Sequence, residues 1–379
     1  MNTANSLHRP GFSAGNLGRS LRQLCVALLV VVLPLATAGE TKRNYHPDAI
    51  PLNQVIQEDE RNGQTLAHPL LPEYYLAIYS GSTMGVYFEV ASRICELMRR
   101  THSQHHIRCV PLRSNGATDN LRLMQEGRAQ VAIIQSDLQW NAAHGLIDMP
   151  DARSVASLHN EMGLLVVRSD AHIESVADLR GKRINMTPEG SASYRLWSDL
   201  LAAHGITIKA LGKTYNAIQD FNKSGVCLDH IDAYGIWMGH PAKMVTETLT
   251  SCDTKVIGMR DRETDRMLVR SQFLFKQTLP ANVYPGQTEP IESYGLKATL
   301  VAAKQANPYV IYWLTRIVHE NAETLRNMHP ALNDLNANEM RDLGNFMPFH
   351  DGAGCYWRPR AETCEWKVFY PNLREIPVK

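Results

Sequence analysis

The sequence predicts an α/β fold, with parallel sheets covered by helices. From residue 74 onward, short apolar runs alternate with helix-periodic segments, which is the pattern of strand–helix–strand units. The apolar runs also end in glycine, serine, asparagine or aspartate just before the next helix, as strands feeding tight turns do.

The elements follow in order. Tyr74-Tyr75-Leu76-Ala77-Ile78-Tyr79 is a strand, and it runs into Ser80-Gly81-Ser82-Thr83-Met84-Gly85-Val86-Tyr87. A helix follows, with Phe88, Ala91, Ile94 or Cys95, and Met98 on one face. Ile107–Leu112 is a strand, a helix carries Leu121 and Met124, and Ala129–Ile134 is a buried strand. Leu164–Val167 is another strand. Ser175–Leu179 makes one helical turn closed by Gly181, and Lys182–Met186 is extended. A helix from about Ser193 to His204 stops at Gly205, and a shorter one spans about Ala217 to Lys223. Ile231–Ile236 is a strand, a helix runs through Met244, and Lys255–Met259 is extended.

The first 38 residues carry Arg9, Arg19 and Arg22 with no acidic residue, then the apolar run Leu24–Leu33, then Ala36-Thr37-Ala38. That order is a secretory signal peptide cleaved after Ala38. The apolar run is short of the roughly 20 residues that a spanning helix needs. Residues 39–71 are polar, with Pro47, Pro51, Pro69 and Glu58-Asp59-Glu60, and read as an extension lying loosely on the body.

Of seven cysteines, Cys25 leaves with the signal peptide. The other six lie as near neighbours: Cys95 and Cys109, Cys227 and Cys252, Cys355 and Cys364. An even set in an exported chain reads as disulfides, and local pairing is the simplest of about 15 connectivities. No CxxC occurs, and His102, His105 and His106 fall in a polar connection after a helix, so no metal site is expected. With 39 basic and 38 acidic residues and no basic cluster interleaved with aromatics, nucleic acid is not an expected partner.

A strand ending in small hydroxyl and glycine residues before a helix leaves backbone N–H groups at the helix start, which suit an anion. Gly81, Ser82, Thr83, Met84, Gly85 and Tyr87 are therefore candidate contacts. Ser114, Asn115 and Gly116 either cap the next helix or meet a ligand. Gln135, Ser136 and Asp137 end a buried strand, where open α/β sheets bind ligands. Gly190, Ser191 and Ser193 open a later helix from the other side. Tyr234 and Trp237 either wall a cleft or pack in a core.

In order along residues 74–355, these motifs resemble the TAXI family of solute receptors, the extracytoplasmic binding subunits of TRAP transporters. Ser80–Phe88 matches that family's Thr-Gly-Gly-Thr-Gly-Gly-x-Tyr-Tyr loop in outline, and Ser114–Leu121 resembles its second turn. Ile133–Asp137 is similar to a third signature, and Val167-Arg168 with Ser175–Arg183 to a fourth. Gly190-Ser191, Tyr284–Gln287, Met328–Ala331 and Pro348–Ala353 extend the match.

The resemblance implies a two-lobed, type II-like periplasmic binding protein, each lobe a mainly parallel sheet flanked by helices. Lobe one would be 72–160 with 262–379, and lobe two 161–261. It implies a periplasmic receptor that captures a small organic anion or amino-acid-like ligand between the lobes, needs no cofactor, and delivers it to TRAP permease subunits. A sensory partner of a membrane receptor would use the same cleft. Ser82, Met84 and Glu89 depart from the family pattern: a methionine narrows the pocket or adds an apolar wall, and a glutamate brings negative charge.

An enzyme is not expected. Gly212-Lys213-Thr214 lacks the first glycine of a phosphate loop, Thr207 standing in its place. Gly81–Gly85 has no serine at the centre of a Gly-x-Ser-x-Gly elbow, and His-Glu-x-x-His is absent.

Overall fold

The computed structural model describes residues 72–149, 151–358 and 364–365. The expected signal peptide and the expected 39–71 extension lie outside the described residues.

One sheet of ten strands organises the described residues. β1 (Tyr74–Tyr79) pairs in parallel with β2 (Ile107–Leu112) and with β3 (Val131–Gln135). At its other end β7 (Ala233–Met238), β5 (Arg183–Asn185) and β6 (Lys213–Tyr215) also run parallel. Two long strands join these sets. β4 (Ala152–Arg168) pairs antiparallel with β7, and β10 (Ile291–Ala303) pairs antiparallel with β3 and β4. Two shorter strands flank the join, β8 (Thr254–Ile257) on β4 and β9 (Phe275–Leu279) on β10.

The α/β class with helix-covered, mainly parallel strand sets is as the sequence predicts. The long join was less visible, since the apolar run Leu164–Val167 is only the last part of β4. Its residues alternate between two cores: Leu164 and Val166 lie in one, Leu165 and Val167 in the other. A strand buried on both faces shows as a continuous apolar run rather than as alternation. The second core also holds Trp197, Trp237, Tyr294, Leu268 and Leu274, the last three from beyond position 262.

The helices that matter for the site start where strands stop. They are α1 (Val86–Arg100), α2 (Ala117–Gln125), α3 (Ser136–Ala143), α4 (Ala192–Ala203) and α5 (Phe221–Cys227). α1 buries Tyr87, Val90, Ala91, Ile94 and Met98, whereas Phe88 is only half-buried, so the face is turned slightly from the one expected. α5 starts four residues later than expected, because Asn185 Oδ1 accepts the Ala217 N–H and fixes that stretch as a turn.

All three local disulfides form, Cys95–Cys109, Cys227–Cys252 and Cys355–Cys364. The second ties the end of α5 to Cys252, just past α6 (Lys243–Ser251), and closes 25 residues of sequence. Replacing both cysteines by serine is expected to lower stability by about 3 kcal/mol, through the freer unfolded chain. Urea melts of oxidised wild type and variant would read it; unchanged midpoints would contradict it.

Candidate functional site

The last residues of β3 and β7 and the turns after β1, β2, β5 and β6 open on one cavity of about 530 Å³. These are the carboxyl ends of the parallel strands, where such sheets leave room for ligands.

The β1 and β2 turns are fastened to each other. Ser80 Oγ donates to Leu112 O at 2.6 Å, and Ser114 Oγ donates to Ser80 O at 3.1 Å while accepting the Gly116 N–H. Buried Asn120 donates to both Ser80 O and Ile133 O at 2.7 Å, which holds the ends of β1 and β3 together. On the facing side, Asn185 accepts the Thr187 N–H, and Thr187 and Ser191 share a hydroxyl hydrogen bond of 2.9 Å. Gly116 and Gly190, at φ of 95° and 79°, take the left-handed conformation that lets each chain turn into its helix.

Three helix N-termini therefore face the same space. Val86 and Tyr87 of α1, Ala117 and Thr118 of α2, and Ala192 and Ser193 of α4 all line it. α1 and α2 begin at glycine with no side-chain cap, so no side chain occupies their first-turn N–H groups. α4 is capped by Ser191, whose hydroxyl accepts the Tyr194 N–H at 3.2 Å. Each N-terminus carries roughly half a positive charge.

The floor is acidic instead. Glu161 of β4 is 2% exposed and accepts a 3.1 Å hydrogen bond from Tyr87 Oη. Burial pushes its carboxyl up to about 8. Burial also raises Asp137, against the opposing pull of Arg195 at 3.2 Å. At the rim, Arg122 is engaged by Asp119 and Glu126, while Arg113, Glu189 and Asp220 also line the cavity.

Most of the residues picked out in the sequence meet here: Gly81, Ser82, Gly85, Tyr87, Ser114, Asn115, Gly116, Gln135, Gly190, Ser191, Ser193 and Trp237 all line the cavity. Five do not. Thr83 and Met84 line a separate cavity of about 120 Å³ with Lys243 and His329, so Met84 does not narrow the main one. Glu89 lines that smaller space too and pairs with Arg93. Ser136 and Asp137 turn inward at the start of α3, where Ser136 Oγ accepts the Lys297 N–H and Asp137 pairs with Arg195. Tyr234 is buried in the core on Thr248 Oγ1. Three residues from Trp237 on one strand, it points to the opposite face.

Among the lining residues that sequence reasoning missed are Glu161, Thr187, Pro188, Glu189, Ile218, Gln219 and Asp220. Thr187, Pro188 and Glu189 follow β5, where the strand-end rule would have found them, whereas Ile218, Gln219 and Asp220 follow β6, a strand that the sequence pattern did not show.

The NMT1-like family model matches residues 78–359. The chain belongs to the NMT1-like family. This NMT1-like chain is also similar to several solved structures. One is the alkanesulfonate-binding protein SsuA from Xanthomonas axonopodis pv. citri bound to MOPS: 14% identity, 71% of this chain, 82% of that one, TM-score 0.44. A second is the periplasmic aliphatic sulphonate binding protein SsuA from Escherichia coli: 17% identity, 70% and 81% covered, TM-score 0.41. A third comes from work on glutathione import via GshT and the cystine ABC importer TcyBC of Streptococcus mutans: 10% identity, 74% and 100% covered, TM-score 0.46. The family match is coarser than the TAXI resemblance.

Proposed function

We propose that this NMT1-like protein is an extracytoplasmic solute receptor that captures a small anionic metabolite and hands it to a membrane permease. The observation that carries this reading is the convergence of three helix N-termini, two of them uncapped, on one cavity. Helix starts aimed at a common point favour an anionic group by charge and by hydrogen bonding together.

In this reading the lobes are 72–160 with 262–379, and 161–261, and they close about β4 and β10 as hinges. The closed, loaded form presents a surface that the open form lacks, and the ligand drives closure by its differential affinity for the two forms. The TRAP type of permease and the periplasmic location rest on the sequence resemblance and on the signal peptide. Nothing in the cavity requires bond-making chemistry, and we assign no catalytic residue.

A thermal-shift screen against carboxylic and sulfonic acids tests the proposal. A ligand at a hundred times its Kd adds about 2.7 kcal/mol to the native state, a shift of several degrees. A saturable shift with an acid and none with its neutral ester is expected. No acid shifting the melt would overturn the reading.

A further inference from the structure

The helix starts account for one end of the ligand; the floor faces the other. We propose that Glu161 and Gln135 select the ligand by this inner end, seating an uncharged group that carries a hydrogen-bond donor, such as a carboxamide, and excluding a second anionic group. This inference rests on the receptor reading above.

Both residues line the cavity and are almost fully buried, at 2% and 4% exposure. Gln135 Oε1 has no hydrogen-bond partner, so the floor offers an acceptor that a donor can satisfy. The Tyr87 hydroxyl is already spent on Glu161. The cations nearest the floor are committed elsewhere, Arg195 of α4 to Asp137 of α3 and Lys297 of β10 to Glu339, while at the rim Arg122 of α2 is held by Asp119 and Glu126 and Arg113 also lines the cavity. His159 of β4, with its ring edge against Tyr87 at 6.2 Å, is kept uncharged by burial.

An inner carboxylate would thus face the Gln135 carbonyl oxygen, with Asp137 buried behind the floor and neither Arg195 nor Lys297 free to offset the charge. A carboxamide or hydroxyl donates to Gln135 Oε1 and meets Glu161 as a neutral acid. Burial keeps Glu161 in that neutral form at pH 7, and the field of Asp137 adds to the effect. A site built on buried hydrogen-bonding groups discriminates strongly against ligands that leave them unpaired.

The test is calorimetric titration at pH 7 with succinamate, succinate and 4-aminobutyrate, which share one carboxylate and differ at the far end. Wild type is expected to bind succinamate at least tenfold tighter than succinate. Glu161→Leu is expected to lose at least tenfold for succinamate, and Glu161→Gln, a neutral donor and acceptor, to restore it to within threefold. Melting curves establish that each variant is folded.

Succinate binding as tightly as succinamate overturns the inference while leaving the receptor reading intact. So does tighter binding of 4-aminobutyrate, which would make Glu161 a carboxylate holding an ammonium group. Glu161→Gln failing as Glu161→Leu does, or Glu161→Leu losing nothing, overturns it as well. If none of the three probes, nor the next two longer half-amides, binds the folded wild type, the receptor reading falls and the inference with it.

Discussion

Lowering the pH from 7 to 4.5 is expected to unfold this protein, because three buried histidines and the half-buried His240 are held uncharged. His105 Nδ1 accepts the Ile107 N–H at 2.9 Å and His350 Nδ1 the Gly352 N–H at 3.1 Å, and both roles require an unprotonated nitrogen. His240 sits between Tyr284 Oη and Met162 O, and neither ring nitrogen of fully buried His159 has a partner. Burial lowers His159 to about 3 and His105, His240 and His350 to about 4.

A histidine whose folded pKa is depressed binds fewer protons folded than unfolded between that value and about 6.5. The stability it contributes is full above 6.5 and is lost as pH falls toward 4. Four such groups together are worth several kcal/mol, comparable to the whole stability of many domains. Glu161 has the opposite slope. Its raised pKa makes stability fall as pH climbs from about 4.5 to about 8, so the maximum is expected near pH 6.5. Urea melts from pH 4.5 to 9 would show the dome. His159→Leu should melt close to wild type at pH 7.5 and hold on better at pH 5, and a flat profile below pH 6.5 would contradict the assignment.

Trp197→Ala is the second large loss, expected at roughly 3–5 kcal/mol. The indole is fully buried, meets Trp237 edge-on at 5.8 Å between centroids, and lies directly over Gly235. A methyl group at Gly235 would come within 2.6 Å of the ring, so glycine is what admits the tryptophan there. With both gone from contact, the second core keeps a cavity that its strands cannot close by moving, since β7 is hydrogen-bonded on both sides. Because Trp237 also lines the site, this variant should bind ligand more weakly as well as unfold earlier. A midpoint loss under 1 kcal/mol would show that the core refills.

Local signals in the chain carried most of the fold. Up to Met259 most strand and helix identities were legible, because strands stop in turn residues and helices have their own period, whereas β6 was not identified and β9, β10 and the later helices were not read at all. The Gly81, Gly116 and Gly190 turns were legible too, since a backbone bound for left-handed or closely packed conformations needs small residues wherever it is used. What was not legible depends on distant pairing. β4 and β10 are long because they pair with each other, and Glu161 is in the site because β4 crosses its floor. A lone glutamate between Asn160 and Met162 carries no mark of this. The odd spacing of Tyr234 and Trp237 on one strand already puts them on opposite faces, so the sequence alone showed that only one of the two could wall the cavity.

The most direct measurement is a calorimetric titration of the best acid from the screen against wild type, Gly81→Trp and Ser191→Trp, one change on each side of the cavity. A side chain at Gly81 would start 3.6 Å from Tyr87 Cβ and 4.0 Å from Gly116 Cα, so it fills space rather than breaking the turn. Ser191→Trp additionally loses a helix cap worth about 1 kcal/mol, which the fold should tolerate. One ligand per chain, with affinity falling at least a hundredfold in each variant, is the result this account predicts. Undiminished binding in both folded variants would contradict it, because the anion would then be held somewhere other than between these helix starts.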